Sequence, residues 1–306
     1  MSTSFSSNNK NKLSTQAFLT LLLIGFMMGA NHVSARFAFN DGLDITTAVL
    51  ARSSITSLIV MLMIIYQGVP RVISKDHKKY LFIVGLLLSI QSFCIYGAVA
   101  RMPVALALLA FNTYPLVVAL LAKLFYKEVI EPKVLWLMPV MLIGLGLALD
   151  VFGAASGLGA QAQWNLIGEG VAYSFTAAFT FSIALLITQH KTPGVDGRIR
   201  SVFTMSMVAV ISLGLCIAQG GPHLPQHYSG WLGMALLILL YGTAFTIMFT
   251  VLPRLGAVGN TSIMNVEPVC ALILAWLILD QQISFMQIIG ALIVVSGAIL
   301  LGLRKN

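Results

Sequence analysis

The 306 residues are 58% hydrophobic and only 9% charged, with a mean hydropathy of +0.92 and a formal net charge of +8. A soluble domain carries roughly 25% charged residues, so a chain this poor in charge cannot cover a water-facing surface and must show apolar side chains to a lipid bilayer. Its Lys and Arg stand in short clusters between apolar runs and form no single patch, which argues against nucleic acid as a partner.

Residues 1–15 read as a polar tail carrying Lys10 and Lys12. A first apolar run covers 16–38. Its Val33-Ser34-Ala35 resembles a signal-peptide cleavage site, but the repeat described below needs this helix, so it is expected to remain uncleaved. At about 20 mostly apolar residues per crossing, further spans are expected at 45–67, 80–100, 104–125, 133–152, 165–189, 200–219, 229–252, 257–279 and 284–303. The joints are short and carry Asn40-Asp41-Gly42, Gly68-Val69-Pro70, Pro193-Gly194 and Gly220-Gly221-Pro222. Cys94, Cys216 and Cys270 fall inside apolar runs without ligand-like neighbours, so neither a disulfide framework nor a metal is expected, and no cofactor. There is no G-x-x-x-x-G-K-[ST] loop to suggest ATP hydrolysis and no H-E-x-x-H. A membrane enzyme lacks its catalytic constellation.

Charge orients the spans. With the N-terminus inside, fifteen Lys and Arg, from Lys10 to Lys305, fall on the inner side, against Arg36 and Arg101 outside and Arg52 within span 2. That bias places both termini in the cytoplasm. Shifting the chain by 153 residues lays Arg101 on Arg254, Asn112 on Asn265, Pro115 on Pro268 and Gly144 on Gly297. The match covers spans 3–5 against 8–10, while the first two spans of each half do not match at that shift. Five spans per half is an odd number, so the second half must lie upside down. The expectation is an all-α membrane protein of ten transmembrane helices, built as two inverted five-helix repeats over 16–152 and 165–303. Inverted repeats are characteristic of secondary transporters, with the solute site at the repeat interface.

The candidate site follows from polar groups within spans. Asn112-Thr113-Tyr114-Pro115 and Asn265-Val266-Glu267-Pro268 each put a proline near mid-run, where Phe111 and Met264 lose their helical acceptor role. In lipid such carbonyls need another partner or a wet cavity. Two readings stand: cavity-lining broken helices, or kinks that only shape the bundle. Glu267 can contact a substrate amine, carry a proton, or hold a structural hydrogen bond. Asn31 and His32 interrupt span 1, and His32 stands between a titrating and a structural role. Arg52 is expected to snorkel outward or to pair, with Asp44 eight residues before it. Gln91, Tyr96, Tyr173 and Tyr241 complete the candidate substrate-binding set. Gly25 and Gly29, with Gly290, Ser296 and Gly297, read as small-residue helix packing, with dimerisation as the lesser alternative.

The chain resembles the EamA-type branch of the drug/metabolite transporter superfamily over essentially its whole length. Met28-Gly29-Ala30-Asn31 stands where the family has a Trp-Gly start, and Arg52 where many members carry an Arg. Glu267-Pro268 followed by Leu279-Asp280 is similar to the family's Glu-Pro and Gly-Glu signature, with Asp280 for Glu, and Tyr114-Pro115 and Lys127-Glu128 occupy the matching places. The resemblance implies a cavity lined by spans 1, 3, 4, 6, 8 and 9, in a multi-pass protein of the cytoplasmic (inner) membrane, as a monomer or homodimer. It implies export of amino acids or related metabolites, or alternatively uptake of a vitamin- or nucleoside-like solute.

Overall fold

The computed structural model describes residues 15–69, 73–129, 132–154, 156–250, 266–281 and 284–302. Asn265 and Arg254 lie outside these, and with them the repeat partners of Asn112 and Arg101. All regular structure among the described residues is helical: α1 (Thr15–Phe39), α2 (Ile45–Tyr66), α3 (Lys75–Arg101), α4 (Val104–Phe111), α5 (Tyr114–Tyr126), α6 (Pro132–Ala148), α7 (Ala160–Lys191), α8 (Gly197–Ala218), α9 (Tyr228–Thr250), α10 (Glu267–Leu279) and α11 (Phe285–Gly302). Seven helical stretches, counting Val104–Tyr126 as one, are long and apolar enough to cross a membrane. Leu135–Ala148, Glu267–Leu279 and Phe285–Gly297 are shorter apolar helices.

The fourth expected span is broken into α4 and α5, because Pro115 has no N–H to continue the ladder. Asn112 ends α4, its backbone N–H donating to the Leu108 carbonyl. The other helices start and stop within about five residues of the apolar runs, α3 and α7 extending into polar sequence; the expected start of the ninth span, 257–265, lies outside the described residues. At α3 the termini are tied down: Ser74 caps it by accepting from the His77 N–H, and Arg36 donates to the Val99 carbonyl at its C-terminus, 2.7 Å away.

Helix packing repeats itself when the halves are exchanged. The closest partners are α3 with α7, α2 with α8, α1 with α9 and α6 with α11. Swapping first-half helices for their second-half counterparts turns α3–α7 into α9–α1 and returns α2–α8 and α6–α11 to themselves. The next contacts obey the same rule: α1–α10 mirrors α7–α5, and α3–α8 mirrors α9–α2. The halves are therefore interleaved and share one core. At its centre α4 is buried all round from Val104 to Ala110, as a helix apolar on every face must be.

Local geometry extends the repeat beyond the residues that align by eye. α5 and α10 begin 153 residues apart and end in left-handed caps, Lys127 (φ 57°, ψ 27°) and Asp280 (φ 51°, ψ 27°). α2 and α8 instead repeat at 152 residues: Asp44 and Asp196 cap their N-termini, and Gln67 and Gln219 their C-termini. The connections before α2 and α8 are equally long, whereas the connection after α2 is one residue shorter than that after α8. This one-residue slip hides the second span when a single shift is applied.

Polar clasps join helix ends. Asp41 accepts from the His227 ring at 2.6 Å and from the backbone N–H of His227 and Gly230. Burial alone would raise the Asp41 carboxyl, but these donors hold it below its ordinary range. Asp44 does not pair with Arg52. It accepts from Thr46, Thr47 and His223 N–H groups, which is why Arg52 finds other partners.

Candidate functional site

Gly29 decides how closely α1 approaches α10. A Cβ added there would lie 2.8 Å from the Glu267 carbonyl oxygen and 3.0 Å from the Ala271 nitrogen, so only glycine admits this backbone contact. In the other half the carbonyl of Tyr114, the repeat partner of Glu267, instead accepts from Ser182 Oγ at 3.1 Å. Gly29 and Ser182 are 153 residues apart, so the repeat also runs through the first span of each half.

With α1 held this close, His32, one turn beyond Gly29, brings Nε2 to 3.3 Å from Glu267 Oε1. Glu267 opens α10 with Pro268 beside it. A carboxylate in the first turn of a helix is favoured by the helix dipole, so the break that frees backbone groups also makes a tolerable place for the charge. His32 is 8% exposed and the Glu267 side chain 21%.

A second group joins the first through Tyr96 on α3. Its ring stands edge-on to His32, with centroids 5.6 Å apart, and its hydroxyl donates to Asn31 Oδ1 at 3.3 Å. The Arg52 guanidinium carbon lies 4.9 Å from the centroid of Tyr96 and 4.1 Å from that of Tyr241. Arg52 is 3% exposed and donates to Ser92 Oγ at 3.0 Å. Ser92 in turn reaches the Gln91 side chain at 3.5 Å. Among the described residues no carboxylate pairs with Arg52. Tyr241 lies within electrostatic reach of both Arg52 and Glu267. Residues from α1, α2, α3, α9 and α10 thus meet in one cluster.

The cluster is under-satisfied. Asn31 Nδ2, His32 Nδ1, Arg52 Nε and Thr56 Oγ1 are buried without a hydrogen-bond partner. A buried polar atom without a partner costs about 1–3 kcal/mol, and most such atoms in native proteins are satisfied. Four of the six such atoms among the described residues belong to this cluster, the others being Arg36 Nε and Ser174 Oγ.

Of the ten candidate residues, the structure brings Asn31, His32, Tyr96, Tyr241 and Glu267 together, with Gln91 linked through Ser92. Tyr114 stands near, within electrostatic reach of Glu267, its ring packed with Phe111 and Phe181. Asn112 is buried and donates Nδ2 to the Leu108 carbonyl at 2.9 Å, closing the last turn of α4. Tyr173 sits on the α3–α7 seam, against Gly97 and under the Arg101 guanidinium, which itself pairs with Glu169 at 2.7 Å. Asn265 lies outside the described residues. Sequence reading missed Thr56 and Ser92. Their only signal is a hydroxyl one turn from Arg52, or across from it, in a chain with many helical hydroxyls.

The EamA-like transporter family model matches the chain twice, over residues 15–149 and 168–303. The chain belongs to the EamA-like transporter family. It is 24% identical over 235 residues to an uncharacterized transporter of Clostridium kluyveri, covering 74% of this chain and 73% of that protein. A solved crystal structure shares the fold, with a TM-score of 0.60 at 18% identity, covering 94% of this chain and 95% of that one. Family membership makes the chain a multi-pass membrane transporter of a small solute. In this EamA-like chain the two matched repeats divide the site: Asn31, His32, Arg52 and Tyr96 come from the first, Tyr241 and Glu267 from the second.

Proposed function

We propose that this EamA-like protein is a secondary transporter or facilitator that exports a small polar metabolite, an amino acid or related compound, across the cytoplasmic membrane. The observation that carries the reading is the under-satisfied cluster around His32, Glu267, Tyr96 and Arg52, at the meeting of the two repeats. It offers one carboxylate, one guanidinium, an imidazole and amide groups, with too little fixed positive charge for a polyanion. A solute bearing both an ammonium and a carboxylate finds a complement at each end. Glu267 is the substrate-ammonium contact in this reading, and the helix break in front of it leaves room at the half-helix N-terminus.

The ten-span inverted topology with both ends cytoplasmic belongs to the same proposal. It is supported by the charge bias and by the side-to-side consistency of the clasps. Asp41–His227, Arg101–Glu169 and the Val104 N–H to Gln281 bond join residues that the charge rule places outside. His190–Glu128 and Arg198–Gln67 join residues it places inside.

Purified protein reconstituted in liposomes tests the reading by counterflow. Liposomes loaded with unlabelled neutral amino acids should accumulate the labelled compound transiently, and empty ones should not. Counterflow with nucleosides or vitamins alone would replace the reading by uptake of a larger solute, for which the Tyr96, Tyr114 and Tyr241 rings supply stacking faces. No counterflow with any of the three classes would overturn it.

A further inference from the structure

A groove of about 500 Å³ lies away from this cluster, between α2, α3 and α8. Its walls are apolar: Met61 and Ile64 from α2, Phe82 from α3, Val202, Phe203 and Val210 from α8. Phe82 is 56% and Val210 68% exposed, so the groove opens on the face that a membrane protein turns to lipid. Along α8 it runs from Ile199 to Val210, which at 1.5 Å per residue is about 16 Å. That is roughly half of a 30 Å hydrocarbon core, the depth of one leaflet.

One end of the groove is basic. Lys75, Lys78 and Lys79 open α3 and precede Phe82 by seven, four and three residues, which puts all three on the Phe82 side of the helix. Arg200 stands likewise one turn before Phe203 on α8, and it is half-buried. Lys75, Lys78 and Lys79 are exposed, and no ion pair engages them or Arg200 among the described residues. Asp76, the acid in this turn, projects about 120° around α3 from Phe82. Asp196 is taken by Arg198, with 2.6 Å between Arg198 Nη2 and Asp196 Oδ2. Arg200 stays within electrostatic reach of Asp196, so the uncompensated cations at the groove mouth are Lys75, Lys78 and Lys79, beside an acyl-chain-deep apolar slot.

We propose that this groove is a binding site for an anionic phospholipid of the surrounding bilayer. One acyl chain lies along Phe82, Phe203 and Val210, and the phosphate sits among Lys75, Lys78, Lys79 and Arg200. The length of the slot fixes the ligand as a lipid, since a free phosphate has nothing to fill it. The basic mouth fixes the headgroup as anionic, since a zwitterionic one brings its own cation.

Native mass spectrometry of the full chain, purified in a neutral maltoside and titrated with dioleoyl phosphatidylglycerol or dioleoyl phosphatidylcholine, tests this. Phosphatidylglycerol should be retained more tightly. The triple variant Lys75→Gln, Lys78→Gln, Lys79→Gln should lose that preference, by roughly fivefold per charge removed. Val210→Trp, at an exposed position that fills the slot, should weaken both lipids. Glycerol phosphate should not compete. Equal retention of the two lipids by the wild type, an unchanged preference in the triple variant, or competition by glycerol phosphate would each overturn the proposal. None of these positions belongs to the His32–Glu267 cluster, so counterflow is an independent readout.

Discussion

An ionised side chain in the middle of a bilayer-spanning bundle costs about 2.5–3.5 kcal/mol even on insertion scales. Glu267 offsets this with a helix N-terminus, the His32 imidazole and partial exposure. Glu267→Gln keeps the size and removes the charge. If Glu267 holds a substrate ammonium, counterflow should fall roughly 10- to 100-fold, the worth of one charged hydrogen bond. Intact counterflow with loss only of pH-gradient-driven accumulation would move Glu267 to a proton-carrying role. Wild-type behaviour in both assays would leave it structural. Arg52 calls for a different experiment. Its planar guanidinium faces two tyrosine rings, each contact worth up to about 2 kcal/mol when desolvated, and a lysine cannot reproduce that face. Arg52→Lys should therefore lower the Tm of the purified protein, by about 2–4 °C for each kcal/mol lost. An unchanged Tm would show that the rings do not hold it. Residues such as Asn31, His32 and Glu267 were legible in the sequence because a polar group inside an apolar run is conspicuous. The partners of Arg52 were not. Asp44 looked available from spacing, but it is committed to capping α2. Ser92 looked like its neighbours, many of which only return a bond to their own helix, as Ser89 does to Gly85.

At the scale of elements, apolar runs located the helices well, since a crossing length is imposed by the bilayer and not by subtle propensities. The break between α4 and α5 was legible for the same kind of reason, a proline that removes a donor where no water can replace it. The repeat in the second span was not, because its register slips by one residue, with Asp44 and Asp196 152 apart, and the connection after α2 is one residue shorter than that after α8. The motif was nonetheless present as Gln67-Gly68-Val69-Pro70 and Gln219-Gly220-Gly221-Pro222. Close helix packing separates glycines that look alike in sequence. At Gly290 an added Cβ would fall on the Ala148 nitrogen and the Gly144 carbonyl oxygen, while at Gly214 it would meet nothing within 4 Å. Gly290→Ala must push α6 and α11 apart, and overpacking of this kind costs typically 1–3 kcal/mol. Gly214→Ala removes a flexible residue from a helix and should be neutral or gain about 0.5–1 kcal/mol. Thermal unfolding followed by size-exclusion chromatography in detergent should separate the two. Equal Tm values would mean that the α6–α11 contact is not tight.

At the scale of the molecule, exchanging the halves leaves the packing pattern in place, yet the chemistry at equivalent positions differs. Tyr114 stands where Glu267 stands, and Ser182 where Gly29 does. A symmetric scaffold with an asymmetric polar centre lets one set of helices rock against the other around groups that stay fixed. With the halves inverted as proposed, α1–α9 and α3–α7 would be the same contact seen from opposite faces, and each half could close one side in turn. The orientation that this requires is testable. Short connections between successive helices force them to alternate in direction, so the sidedness of any one joint sets that of all the others. A periplasmic-active reporter fused after Gln219 should be active, and the same reporter after Lys305 inactive, with a cytoplasm-active reporter giving the reverse at both points. Equal readings at the two positions would break the alternation, because three spans are expected between them. The opposite pattern at both would keep the bundle and invert it in the membrane. That result would put the Lys75–Lys79 cluster on the outer face, against the charge rule.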